Sequence, residues 1–146
     1  MATEETKRMG FYFDHNSCVG CKTCQVACKD KNDLEVGTLF RHVVDFEVGE
    51  FPSVKSYHYA ATCNHCENPA CVEACPTEAM YIDETACVAA CPMRALEFGV
   101  YDDLVAAHPD AVDQIAILPD SSQTGPHTLI DARPAALEND FRKVIL

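Results

Sequence analysis

Ten cysteines in 146 residues, gathered into short runs, constrain this chain more than any other feature. Cys18, Cys21, Cys24 and Cys28 form CVGCKTCQVAC, with spacing C-x2-C-x2-C-x3-C. Cys63, Cys66, Cys71 and Cys75 fall in CNHCENPACVEACP, and Cys87 and Cys91 in ACVAACP. Cysteines three positions apart on a tight loop are poor disulfide partners, because a bridge needs a particular Cβ geometry. They suit a metal or cluster whose ligands converge from one short loop. The first run has the ligand spacing of a bacterial 4Fe–4S ferredoxin.

Composition narrows the classes further. The length suits one compact domain or two very small ones. The net charge of -12 makes nucleic acid and anionic membrane surfaces poor partners. The opening MATEETKRMG is charged and lacks the apolar stretch of a secretory signal. No window reaches the length of a transmembrane helix. These features predict a soluble polypeptide that acquires its clusters in a reducing compartment.

Along the chain, residues 1–10 read as a charged lead-in. Phe11-Tyr12-Phe13 predicts a short strand feeding the first cysteine loop, where Gly20 supplies unusual dihedrals. A short helix is expected from Gln25 to about Lys31, placing Cys28 one turn past Cys24. Val43–Val48 and Val54–Tyr59 are rich in β-formers and punctuated by Gly49 and Pro52, which predicts a hairpin inserted at about 38–60. Its partial alternation (Val44, Phe46, Val48) predicts one buried face. Ala70–Ile82 and Ala86–Phe98 form an internal repeat offset by sixteen residues, each unit a short helix, a proline stop and a strand. The second copy lacks the C-x2-C that precedes the first. Tyr101–Ala107 predicts a helix with Asp102 and Asp103 in its first turn. Leu118–His127 should be irregular. The expected class is α+β, with ferredoxin-like 4Fe–4S modules in residues 1–98 and a C-terminal helix and extended irregular tail in 99–146.

The spacing has a chemical reason. A C-x2-C-x2-C loop wraps three thiolates round one face of a cube, so the fourth must come from elsewhere. In two-cluster ferredoxins the fourth cysteine of each run serves the other cluster. Prolines follow Cys75 and Cys91, as in such runs, whereas Lys29 follows Cys28. All ten cysteines are candidate cluster ligands. Zinc could fill C-x2-C pairs, but the first run is unusual for zinc. His15 and His65 read as loop residues that bond to sulfur or face solvent. Lys22, Lys29 and Lys31 read as a solvated helix face. Tyr12, Tyr57, Tyr59 and Tyr81 read as core or cluster shielding. No catalytic triad or phosphate-binding glycine loop is present in the sequence.

The segments GFYFDHNSCVGCKTCQVACKDKNDLEVG, YHYAATCNHCENPACVEACPTEAMY and TACVAACPMRALEFGVYDDLVA resemble the iron–sulfur (B) subunits of the dimethyl sulfoxide reductase family. IAILPDSSQTGPHTLI resembles that family's C-terminal region. The resemblance implies an electron-transfer subunit that catalyses nothing alone. It would relay electrons through 4Fe–4S clusters between a membrane anchor that oxidises quinol and a molybdopterin catalytic subunit. It also implies a peripheral location at the membrane, cytoplasmic or exported with the catalytic partner. A free ferredoxin-like carrier and a structural zinc module are the alternatives.

The chain departs from that family in one respect. The third cysteine run and the first half of the fourth are missing, with the break near Asp83–Glu84. By the family's pairing, Cys18, Cys21 and Cys24 take Cys91 as fourth ligand. Cys28 and Cys87 share a cluster that has lost two ligands; Cys63, Cys66 and Cys71 have lost their cross-ligand; Cys75 has lost its cluster. Either a segment is omitted from this sequence, or a shortened chain pairs its first two runs directly, or the product is defective. Direct pairing would join Cys75 to the first three cysteines and Cys28 to Cys63, Cys66 and Cys71. Omission is favoured, because the break coincides with no turn or domain boundary. Two clusters are expected in the chain as it stands, and four if the omitted segment is restored.

Overall fold

The structure is a computed structural model that describes residues 8–67, 86–123, 125–138 and 141–144. Cys71, Cys75, Tyr81, the first repeat unit and the Asp83–Glu84 junction lie outside the described residues.

The first strand, β1 (Met9–Asp14), carries Phe11 and Phe13 on one face and Tyr12 on the other, and all three are buried. It delivers the chain to the first cysteine loop and then to α1 (Thr23–Lys31). Lys29 and Lys31 in the last turn of α1 suit the negative end of its dipole. The expected hairpin follows as β2 (His42–Val48) and β3 (Lys55–Ala61), antiparallel with Phe46 opposite Tyr57 and Val44 opposite Tyr59. The second repeat unit is α2 (Ala86–Ala90), then Pro92, then β4 (Leu96–Val100). The expected α3 (Tyr101–Ala107) has Asp102 and Asp103 in its first turn.

Two strands of the C-terminal segment were not expected. β5 (Thr128–Asp131) lies parallel to β1, whose other edge pairs antiparallel with β4. β6 (Phe141–Val144) pairs antiparallel with β2. The described residues form a mixed α+β fold with two three-stranded sheets, ordered β4-β1-β5 and β3-β2-β6. Four residues are too few to show a period, and a parallel partner more than a hundred residues away leaves no local signal. Residues 118–123 and 125–127 are irregular, apart from a 3-10 turn at Ser121–Gln123.

Both sheets contribute to one continuous core that includes Phe11, Phe13, Phe46, Tyr59, Leu96 and Ile130. Fully burying a side chain such as Phe or Ile stabilises by about 1.5–3 kcal/mol. The hairpin buries more than the one face expected. Phe46 and Val48 face the core, whereas Val43 is buried on the opposite face and Val44 only in part. Val43 and Ala60 pair across that second face, which covers the first cysteine loop.

His15 and His65 are loop residues as expected, but both are buried and neither faces solvent. The His15 ring lies 5.4–5.8 Å from those of Phe13, Phe46 and Tyr57. Burial, followed by the charge of Arg133, lowers its pKa to about 4, so it is neutral. His65 packs against Phe11 and Phe98, and its Nδ1 lies 3.3 Å from the Met9 carbonyl. Residues adjacent to a cysteine loop inherit the burial of the strand they leave, which spacing alone does not reveal.

Candidate metal centre

The first cysteine loop leaves β1 through a turn pinned by Asp14. Its carboxylate accepts the Asn16 and Ser17 backbone N–H groups and the Ser17 hydroxyl. Burial works to raise the Asp14 pKa, but these hydrogen bonds outweigh it and hold the carboxylate below its usual range. Gly20 then takes φ +66° and Lys22 φ +60°, two left-handed residues that reverse the chain into α1. A Cβ at Gly20 would stand 2.5 Å from the His58 ring, so only glycine lets the loop lie on the hairpin. His58 Nδ1 is 2.7 Å from Asp45 Oδ1, and Lys22 Nζ is 3.1 Å from Asp45 Oδ2. Lys22 is thus tied to the hairpin, not part of the solvated helix face expected for it.

Cys18, Cys21, Cys24 and Cys91 line one recess of about 340 Å³, part of it open to solvent. The remaining wall is mostly apolar and includes Phe13, Val43, Ala60 and Leu96. Cys91 reaches it from the turn after α2, where α2 packs beside α1. Its sulfur accepts the Ala95 N–H at 3.4 Å. Burial raises the Cys18 pKa, opposed by a backbone hydrogen bond from Gly20 and reinforced by the nearby Cys91 and Cys21. The Thr23 hydroxyl, then its backbone, hydrogen-bond to Cys21 and lower its pKa. Such hydrogen bonds to sulfur tune and stabilise thiolates that hold iron–sulfur clusters. Among the described residues, no three of His, Cys, Asp and Glu gather closely enough for a single metal ion. A cube makes a different demand, since each thiolate binds its own iron. Four cysteines round one recess with a mostly apolar remaining wall suit that demand.

Cys28 lies one turn beyond Cys24 on α1, with Asn32 Nδ2 3.8 Å from its sulfur. Cys87 falls within α2, the helix beside α1. Cys63 and Cys66 occupy the loop after β3, which the C-terminal segment clamps. The Glu67 N–H donates to the Gly125 carbonyl at 2.9 Å, and the His127 N–H to the Asn64 carbonyl at 2.8 Å. Arg41 drew no attention from the sequence, yet it is among the largest fully buried side chains. Among the described residues, no helix is long and apolar enough to cross a membrane.

No family model matches the chain. Its similarity to curated proteins is nonetheless substantial over part of its length. It is 39% identical over 84 residues to the B subunit of anaerobic dimethyl sulfoxide reductase from Haemophilus influenzae, covering 51% of this chain and 41% of that protein. The corresponding B subunit of Escherichia coli K12 gives 39% over 84 residues, with 52% and 41% covered. The arsenate respiratory reductase iron-sulfur subunit of a Shewanella species gives 40% over 77 residues, with 53% and 33% covered. The matched region therefore spans about two fifths of the two dimethyl sulfoxide reductase subunits. Over about half of its own length, the chain is similar to B subunits of anaerobic dimethyl sulfoxide reductase and to the iron-sulfur subunit of an arsenate respiratory reductase.

Proposed function

We propose that this chain is the electron-transfer subunit of a molybdopterin oxidoreductase of the dimethyl sulfoxide reductase type. The observation that carries the reading is the recess lined by Cys18, Cys21, Cys24 and Cys91. It unites a C-x2-C-x2-C loop with a fourth cysteine remote in sequence, in a chain whose relatives include a named iron-sulfur subunit. In this reading Cys18, Cys21, Cys24 and Cys91 would hold a 4Fe–4S cluster, which would supply one-electron transfer when bound. Phe13, Val43 and Leu96 limit water around it, and the Ala95 N–H steadies the Cys91 sulfur.

The remaining cysteines, Cys28, Cys63, Cys66, Cys71, Cys75 and Cys87, are assigned to further clusters in the same ferredoxin-like arrangement. The adjacent helices α1 and α2, which carry Cys28 and Cys87, support that assignment. Residues 1–98 then hold the ligands. Residues 99–146 act as cover, supported by β5 beside β1 and by the clamp on the Cys63–Cys66 loop. The partners in this reading are a molybdopterin catalytic subunit and a membrane anchor, which would place the chain at the membrane periphery.

Iron and acid-labile sulfide per chain, with electron paramagnetic resonance of the dithionite-reduced protein, test the cofactor. Cubane signals that bleach on oxidation are expected, and a colourless, redox-silent protein would end the reading. Co-purification with a large molybdenum-containing chain tests the complex. A monomer that reduces unrelated acceptors would instead support a free carrier.

A further inference from the structure

A buried guanidinium needs a counter-charge, and among the described residues Arg41 has none of the usual kind. It is 1% exposed and stands immediately before β2. Its Nη1 donates to the Ala60 carbonyl at 3.0 Å, and its guanidinium carbon lies 4.7 Å from the centroid of the Phe11 ring. Neither contact supplies a full negative charge. Among the described residues, Nε and Nη2 have no hydrogen-bond partner and no carboxylate pairs with the side chain. Tyr59 lies close enough to feel the charge of Arg41, yet burial pushes its pKa up to about 12. Its phenol is therefore neutral and is no counter-ion.

The surroundings of Arg41 identify a different one. Ala60, which accepts its hydrogen bond, lines the recess of Cys18, Cys21, Cys24 and Cys91. Phe11, beneath the guanidinium, is in ring contact with His65, which sits between Cys63 and Cys66. Arg41 is thus buried against one residue that lines the first cysteine recess and another that packs on His65 of the second cysteine loop. Removing one partner of a buried charge pair is strongly destabilising, and an apolar side chain of similar volume would fill such a site at lower cost. A buried cation with unused donors, one residue removed from each of two cysteine loops, is accounted for if those loops hold anions.

We propose that Arg41 is the fixed internal counter-charge of the clusters held by the two cysteine loops, and that it raises their reduction potentials. The inference rests on the cluster reading above. Each one-electron reduction adds a negative charge to a cluster. A positive charge fixed nearby therefore stabilises the reduced form more than the oxidised form. Its burial keeps the effect strong, because neither water nor salt screens it as they screen Lys22 at the surface.

The test is a redox titration of the full chain with its clusters, using dithionite as electron donor and electron paramagnetic resonance as readout. Arg41→Lys, Arg41→Gln and Arg41→Met are compared with the parent at matched iron and sulfide content. The two neutral variants should titrate at lower potentials, and Arg41→Lys should stay close to the parent. If Arg41→Met fails to fold by circular dichroism, the Gln and Lys pair carries the comparison. Neutral variants that keep their clusters and titrate with the parent would overturn the proposal, as would a Lys variant shifted as far as Gln. A parent protein without iron or sulfide would overturn the cluster reading itself. Unmoved potentials in loaded protein would remove only the role of Arg41.

Discussion

Replacing Gly20 by alanine probes how the first cysteine loop is held against the hairpin. At φ +66° a residue with a Cβ carries a left-handed penalty of about 1–2 kcal/mol. The new Cβ would also stand 2.5–2.6 Å from three atoms of the His58 ring. That ring cannot step aside freely, because its Nδ1 is held 2.7 Å from Asp45 Oδ1. A hydrogen bond to a charged group contributes about 1.5–3 kcal/mol, and the partial exposure of both side chains favours the lower end. Gly20→Ala should therefore destabilise by about 3 kcal/mol. In a His58→Ala background only the backbone part remains, about 1–2 kcal/mol. The expected coupling is about 1.5 kcal/mol, well above the ~0.5 kcal/mol within which independent sites add. Urea unfolding of the four proteins at equal cluster content, followed by circular dichroism, measures the cycle. Visible absorbance should also decay fastest in Gly20→Ala. Substitutions that add within about 0.5 kcal/mol would show that Gly20 does not make room for His58.

Other consequences are open to direct measurement. Cys91→Ser should lower iron and sulfide per chain and remove or alter one cluster signal, while Cys63→Ser should affect a different one. Identical spectra for both variants would contradict separate sites. His15 has a folded pKa of about 4 against an ordinary 6.5, so the unfolded state takes up its proton first as pH falls. Stability should therefore drop as pH falls from 6.5 to 4, by on the order of 3 kcal/mol at about 1.4 kcal/mol per unit. His15→Phe should flatten that limb in urea melts, and an unchanged slope would clear His15 as its cause. Phe46 is fully buried against Tyr57 and His15, so Phe46→Ala should destabilise by about 3–5 kcal/mol, read as a lower urea midpoint.

Local signals carried much of this protein. The strand–cysteine loop–helix unit from Met9 to Lys31, the hairpin, the proline-stopped second repeat and α3 each announce themselves through neighbours close in sequence. Turn residues, spacing and period act over that range. β5 and β6 did not announce themselves, because four-residue strands are defined by the edges they join. His15 and His65 are the loop residues their place beside cysteines indicated, but packing, which no local signal reveals, buried both.

The same division runs through the candidate centre. Spacing by itself marked Cys18, Cys21 and Cys24 as a set that needs a fourth partner, because a short loop can wrap only one face of a cube. The family's pairing rule pointed to Cys91 for that place. Tertiary structure brings Cys91 to the same recess, by packing α2 beside α1 and pairing β4 with β1. It also decided the surroundings: His58 against Gly20, apolar walls from the hairpin, and a buried Arg41 against Phe11 and the Ala60 carbonyl. A sequence states which side chains are available and how near neighbours along the chain are spaced. Burial and electrostatic neighbourhood are properties of pairs remote in sequence, so they exist only once the sheets have formed.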